Sequence, residues 1–170
     1  MPLMPNSARA LSPSLRLSDW LPYRLFLITA AIARPLEDFY RETFSLNQAG
    51  WRILAVIAER DGANAAEIGR AAALDPFAVS RGIAQLVERG FATRRPGRAD
   101  RRTASVAITP RGREAFDRIA VVGAAIETSL LSVLSDAERA SLDPALRKLA
   151  AESARIDSAG WRELVSGSDK

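Results

Sequence analysis

DPFAVSRGIAQLVERGFATRRPGRADRRTASVAITPRGR, residues 75 to 113, is the stretch that decides the fold. Asp75-Pro76 is a helix start, a capping carboxylate followed by proline at the first helical position. The helix it opens, residues 76 to 89, sorts into two faces. Val79, Ile83, Leu86 and Val87 form the stripe expected to be buried, whereas Pro76, Phe77, Ser80, Arg81, Ala84 and Gln85 are expected to point outward. Gly90 stands where such a helix ends. Phe91, Thr93 and Arg95 then alternate with Ala92 and Arg94, and Ala104, Val106 and Ile108 alternate with Ser105 and Ala107. Both flanks of residues 96 to 102 therefore read as strands of a hairpin with a cationic tip.

Upstream, Asn47 is placed to cap a helix in which Trp51, Leu54, Ala55 and Ala58 share a face, and Asp61-Gly62 stops it. Asn64 with Glu67 is a capping-box spacing for a short helix through residues 68 to 73. Short helices this close together are the sequence form of a helix-turn-helix. Before them a helix begins near Ser18 or Asp19, carries Trp20, Tyr23, Leu27, Ala30 and Ala31 at helical spacing, and meets Pro35, which is expected to kink or divide it. Downstream, Thr109-Pro110 opens a long helix with Phe116, Ile119, Ile126, Leu130, Val133 and Leu134 on its apolar side. Ser135 with Glu138 caps a last helix carrying Leu142, Leu146, Leu149 and Ile156. Long helices at both ends of a small core suggest intertwined dimerisation.

Composition narrows the chemistry. The chain has no cysteine and no histidine, which removes thiol nucleophiles, disulfides, imidazole bases and Cys/His zinc sites. An enzyme built on carboxylates alone is disfavoured, because the one close group of acids, Glu37, Asp38 and Glu42, reads as a solvated helix face. Neither a bilayer-spanning run nor a leader-like stretch is visible, so a cytoplasmic protein without membrane contact is expected. The net charge of +4 is unevenly placed. Residues 1 to 90 hold ten arginines against nine acids and residues 135 to 170 hold six basic against seven acidic groups, whereas residues 91 to 113 hold seven arginines against Asp100 alone. Lysine occurs only at Lys148 and Lys170, so the choice of arginine can reflect genome composition, but its clustering marks a footprint for a polyanion.

Element order and residues together resemble the MarR family of winged helix-turn-helix regulators over roughly residues 20 to 155. VSRGIAQLVERGFATRR is similar to the family's recognition helix and first wing strand, DRRTASVAITPRGRE to its wing signature and following helix start, and SDAER to the start of its last helix. Phe77 and Ala78 stand where the family commonly has Ser and Thr. The resemblance implies a homodimer, an operator of two inverted half-sites in double-stranded DNA, and often a small aromatic or phenolic acid that weakens DNA binding.

The expected fold is mainly α with a small β-hairpin wing: a winged helix-turn-helix core flanked by N- and C-terminal dimerisation helices. The boundaries expected are a flexible arm at 1–17, an N-terminal dimerisation helix region at 18–46, the DNA-binding domain at 47–112, C-terminal dimerisation helices at 113–157 and a tail at 158–170. An α-helix fits the major groove, where Arg81 reads a base or phosphate with Ser80 and Gln85 beside it. Phe77 has two readings, contact with a thymine methyl or packing under the helix start. Arg94 and Arg95 are expected at phosphates, and Arg98, Arg101 and Arg102 in the minor groove, where negative potential concentrates. Asp100 is expected to fix the wing tip by pairing with an arginine, since a carboxylate facing phosphate is repelled.

For the effector, Trp20, Tyr23, Arg24, Trp51 and Arg52 are candidates, because a planar carboxylate needs a bidentate donor beside an aromatic surface. The competing reading makes both tryptophans core or interface residues and the arginines exposed ones. No metal or cofactor is expected. The leading expectation is a sequence-specific DNA-binding transcriptional regulator, a repressor released by a small aromatic or phenolic ligand; the alternative is a winged-helix protein-interaction module without DNA binding.

Overall fold

Four caps foreseen in the sequence position the helices of the core. The computed structural model describes residues 15–96 and 104–166. Asn47 Oδ1 accepts the Gly50 N–H at 2.8 Å and starts α2, Gln48–Glu59. Asn64 and Glu67 close both arms of a capping box at 3.0 and 2.8 Å, starting α3, Ala65–Ala72. Asp75 Oδ1 accepts from Phe77 and Ala78 at 2.9 Å each, starting α4, Pro76–Glu88. Thr109 Oγ1 accepts from Gly112 at 3.0 Å at the head of α5, Pro110–Leu131. Each such cap contributes about 1 kcal/mol by satisfying donors that the first turn leaves free.

The hairpin forms as expected. β2, Ala92–Pro96, pairs antiparallel with β3, Ala104–Ile108, in a register that sets Arg94 opposite Val106 and Arg95 opposite Ser105. A third strand unforeseen in the sequence, β1, Ala63–Asn64, joins the other edge of β3 to give the order β1-β3-β2. Two residues are too few to show a period of two. α4 ends with both hydrogen bonds of a Schellman motif, Gly90 N–H to Val87 O at 3.0 Å and Phe91 N–H to Leu86 O at 2.8 Å.

The chain divides into two units, Met1–Gly123 and Ala124–Lys170. The core of the first joins Ile53, Leu54 and Ile57 of α2, Ile68 of α3, Val79, Ile83 and Leu86 of α4, Val106 of β3, and Ala115 and Ile119 of α5. Val87, expected in this stripe, is 37% exposed, because the helix turns it past the edge of the three residues that do pack. Thr109 is the joint of this unit: while its Oγ1 caps α5, its hydroxyl donates to Gly90 O at 2.6 Å, and its backbone N–H donates to Phe91 O at 3.1 Å. Gly112 lies so close beneath that a Cβ there would sit 2.0 Å from Phe91 O.

α1, Leu21–Phe44, follows a 3-10 turn at Leu17–Asp19, so it starts later than the residue 18 or 19 foreseen, and Trp20 caps it in extended conformation. Pro35 does not divide it. Proline removes one backbone hydrogen bond, and the turns that follow are held by Leu36, Phe39 and Tyr40 packing on the core. Its earlier turns expose Leu21, Leu25, Phe26, Leu27 and Ile28.

In the second unit, Ser135 and Glu138 form the foreseen cap: the Ser135 N–H and hydroxyl both donate to Glu138 Oε2, at 2.8 and 2.7 Å, and hold that carboxyl below its ordinary range. α6 runs Asp136–Ser166 and buries none of its residues. The tail expected from residue 158 is thus helical through Ser166, interrupted at Gly160, whose φ of 74° and ψ of 165° are not helical. Trp161, Leu164 and Val165 beyond the break keep a helical apolar spacing, which explains the continuation.

Candidate nucleic-acid interface

α4 presents Phe77, Ser80, Arg81 and Ala84 to solvent at i, i+3, i+4 and i+7, opposite its buried Val79, Gly82, Ile83 and Leu86. No acidic residue lies between Asp75 and Glu88, so this face carries no carboxylate to repel phosphate. Phe77 is 69% exposed and does not pack under the helix start. The Arg81 guanidinium instead lies over its ring, 5.3 Å from the centroid, a cation–π contact that limits where the arginine can point.

Gln85 departs from the expected face. Its side chain is half-buried, with Nε2 donating to Ser45 O at 3.5 Å and Oε1 over Gly50, 2.7 Å from where a Cβ would stand. The amide is used inside the protein, at the start of α2, rather than offered outward.

β2 separates its two arginines. Arg94 lines an open groove of about 530 Å³ between α3, α4 and the sheet, together with Ser80, Pro76, Asn64 and Ala104. Arg95 faces Asp61, Nη1 to Oδ2 3.8 Å, while Asp61 Oδ1 accepts the Ile108 N–H at 3.1 Å. Both members of the ion pair are more than half exposed, so it contributes little to stability. Arg94 and Ser80 are therefore brought together, and Arg95 is turned aside from them.

The cationic run is not one patch. Arg113 Nη2 donates to Ala58 O at 2.6 Å, placing its charge on the carbonyl end of α2, and Arg111 stacks over Phe91 at 5.3 Å. These two arginines hold elements together. Arg98, Arg101, Arg102 and Asp100 lie outside the described residues.

The expected aromatic site comes apart within one chain. Trp51 stands in a stacked ladder between Tyr40, centroids 6.0 Å apart, and Phe116, 5.9 Å, and Arg113 covers Phe116 at 5.6 Å. Burial pushes the Tyr40 phenol up to about 12, with Glu37 adding to the effect and Arg52 opposing it. Trp51 and Arg52 line a cavity of about 630 Å³ between α2 and α3, with Glu59, Glu67 and Arg70 at its sides. Trp20 and Tyr23 stand near the start of α1, where Tyr23 stacks on Phe26 at 6.2 Å, and neither they nor Arg24 reach that cavity.

The helix-turn-helix and the first wing strand, β2, fall within a match of residues 44–103 to the model of the MarR family. Residues 44–103 belong to the MarR family. The winged-helix fold is shared with solved structures over most of the chain. A MarR-family transcriptional regulator from Silicibacter pomeroyi is 24% identical with a TM-score of 0.71, covering 81% of this chain and 92% of its own. A MarR/EmrR-family regulator from Acinetobacter sp. ADP1 is 21% identical at 0.73, covering 84% and 100%. BpsR of Bordetella bronchiseptica is 22% identical at 0.70, covering 81% and 97%. No curated protein sequence matches the chain. No single described helix is long and apolar enough to cross a membrane.

Proposed function

We propose that this MarR-type protein is a sequence-specific DNA-binding transcriptional regulator, a repressor that acts as a homodimer on an inverted-repeat operator. The observation that carries this reading is the acid-free outer face of α4, with Ser80 and Arg81 exposed and Arg94 across the adjoining groove. α4 enters the major groove, where Arg81 contacts a guanine edge or phosphate and Phe77 offers an apolar edge to a thymine methyl. Arg94 takes a phosphate, and Arg98, Arg101 and Arg102 supply positive charge to the minor groove. The apolar residues exposed on α1 support pairing with a second copy.

The effector reading now rests on Trp51 and Arg52 in the α2–α3 cavity, where an aromatic wall and guanidinium groups suit a small aromatic acid. The DNA binding of the fold neighbour BpsR is regulated by 6-hydroxynicotinic acid, which agrees in kind.

A band-shift titration with the DNA upstream of the protein's own gene tests the proposal. The wild-type chain is expected to shift it with an affinity that falls steeply with salt, and Arg81→Ala is expected to weaken binding by about 1–3 kcal/mol. A flat dependence of log K on log salt, or no shift at any concentration, would instead favour a protein-docking role for the winged helix. Salicylate should release the DNA and quench Trp51 fluorescence; an unchanged spectrum across several aromatic acids removes the ligand part alone.

A further inference from the structure

Phe77 and Arg81 form one exposed unit on the outward face of α4. They stand one turn apart, at i and i+4, with the Arg81 guanidinium over the Phe77 ring, 5.3 Å from its centroid. The root of the ring is fixed as well, because Asp75 Oδ1 accepts the backbone N–H of Phe77 and of Ala78 at 2.9 Å each. The ion pairs among the described residues, Arg41–Asp38, Arg95–Asp61, Arg147–Asp143 and Arg155–Glu152, leave Arg81 out. No acid stands between Asp75 and Glu88 to compete for it. A ring attracts the cation through its face and consumes none of the N–H donors of the guanidinium. Phe77 therefore steers Arg81 and leaves its hydrogen-bonding edge for an acceptor from outside.

In the major groove this arrangement has a geometric consequence. A guanidinium that donates to both O6 and N7 of guanine lies in the plane of that base pair. A ring lying under the guanidinium is then displaced along the duplex axis, toward the adjoining base pair about 3.4 Å away. Of the groups that base edges present there, the C5 methyl of thymine is the apolar one. The Phe77 ring, 69% exposed, gains by covering a methyl group, whereas the amino and carbonyl groups of other edges would lose water against it and find no partner.

We infer, resting on the regulator reading above, that Phe77 and Arg81 together read one two-base step, a guanine with a thymine in the adjoining base pair. Arg81 donates to the guanine, and Phe77 both covers the thymine methyl and positions the guanidinium. The two contacts are therefore coupled: removing the ring weakens the hold on the guanine as well as on the thymine.

The full-length chain first selects from a pool of random DNA duplexes, and the enriched half-sites are expected to contain this step. Two altered duplexes then remove one group each. Uracil in place of that thymine lacks only the methyl, and 7-deazaguanine in place of that guanine lacks the N7 acceptor. Each should weaken wild-type binding about fourfold or more by fluorescence anisotropy, the effect of one apolar carbon or one hydrogen bond. In Phe77→Ser both losses should shrink to less than about twofold. That variant removes an exposed ring and leaves the Asp75 cap on backbone N–H groups, so the fold does not depend on the substituted side chain. Enriched half-sites without the step, either altered duplex binding wild type unweakened, or either loss unchanged in Phe77→Ser overturns the inference while leaving DNA binding in place. A chain that enriches no duplex overturns the regulator reading, and this step with it.

Discussion

At Gly112 a single hydrogen atom separates a working joint from a clash, since a methyl group there would stand 2.0 Å from the Phe91 carbonyl oxygen. Backbone has to move to admit it, so Gly112→Ala is expected to destabilise the fold by on the order of 2–3 kcal/mol, measured as a lowered urea midpoint at unchanged slope. Tyr40 gives a pH-dependent prediction. Its phenol is raised to about 12 in the folded chain, whereas an unfolded tyrosine ionises near about 10. The unfolded state then releases its proton first, so stability is whole below about pH 10 and falls between about 10 and 12. Urea titrations across that window should show the fall, Tyr40→Phe should abolish most of it, and a phenolate step near pH 10 in a folded Tyr23→Phe chain would contradict the assignment. The caps at Asn47, Asn64, Asp75, Thr109 and Ser135 were legible because capping depends on residue type at a spacing of two or three. The orientations of Gln85 and Arg113 were not, because their partners Ser45 and Ala58 stand 40 and 55 residues away in sequence.

At the scale of elements, strand alternation decides which arginines meet DNA in the proposed complex. β2 sends Arg94 into the groove beside Ser80 and Arg95 toward Asp61. Arg94→Ala is therefore expected to weaken operator binding by about 1–3 kcal/mol and to reduce the slope of log K against log salt by about one. Arg95→Ala should change it by less than about 0.5 kcal/mol; fluorescence anisotropy on labelled operator compares the two, and equal losses would refute the division. The helices and the hairpin could be read from periodicity, whereas β1 was too short to show any. The charge count over residues 91 to 113 marked a cationic segment but could not tell that Arg111 stacks on Phe91 and Arg113 bonds to the Ala58 carbonyl. Composition records how many charges a segment has, and only the fold records which way each is turned.

For the whole molecule, the exposed apolar residues of α1 and the absence of any buried residue in α6 are costly in water, and the proposed homodimer is the expected remedy. Phe26, 64% exposed in the single chain, is a suitable probe. Phe26→Glu should raise the dimer dissociation constant about 100-fold or more by placing a charge where the partner is expected, and sedimentation equilibrium would register the monomer. An unchanged mass at micromolar concentration would move the interface elsewhere. One consequence concerns mechanics. Thr109 fastens the end of α4, the end of β3 and the head of α5 with three hydrogen bonds, above a glycine that allows no slack. A joint that stiff behaves as a weld rather than a hinge: any change in the direction of α5 at its root is delivered to the recognition helix as rotation, with little lost on the way.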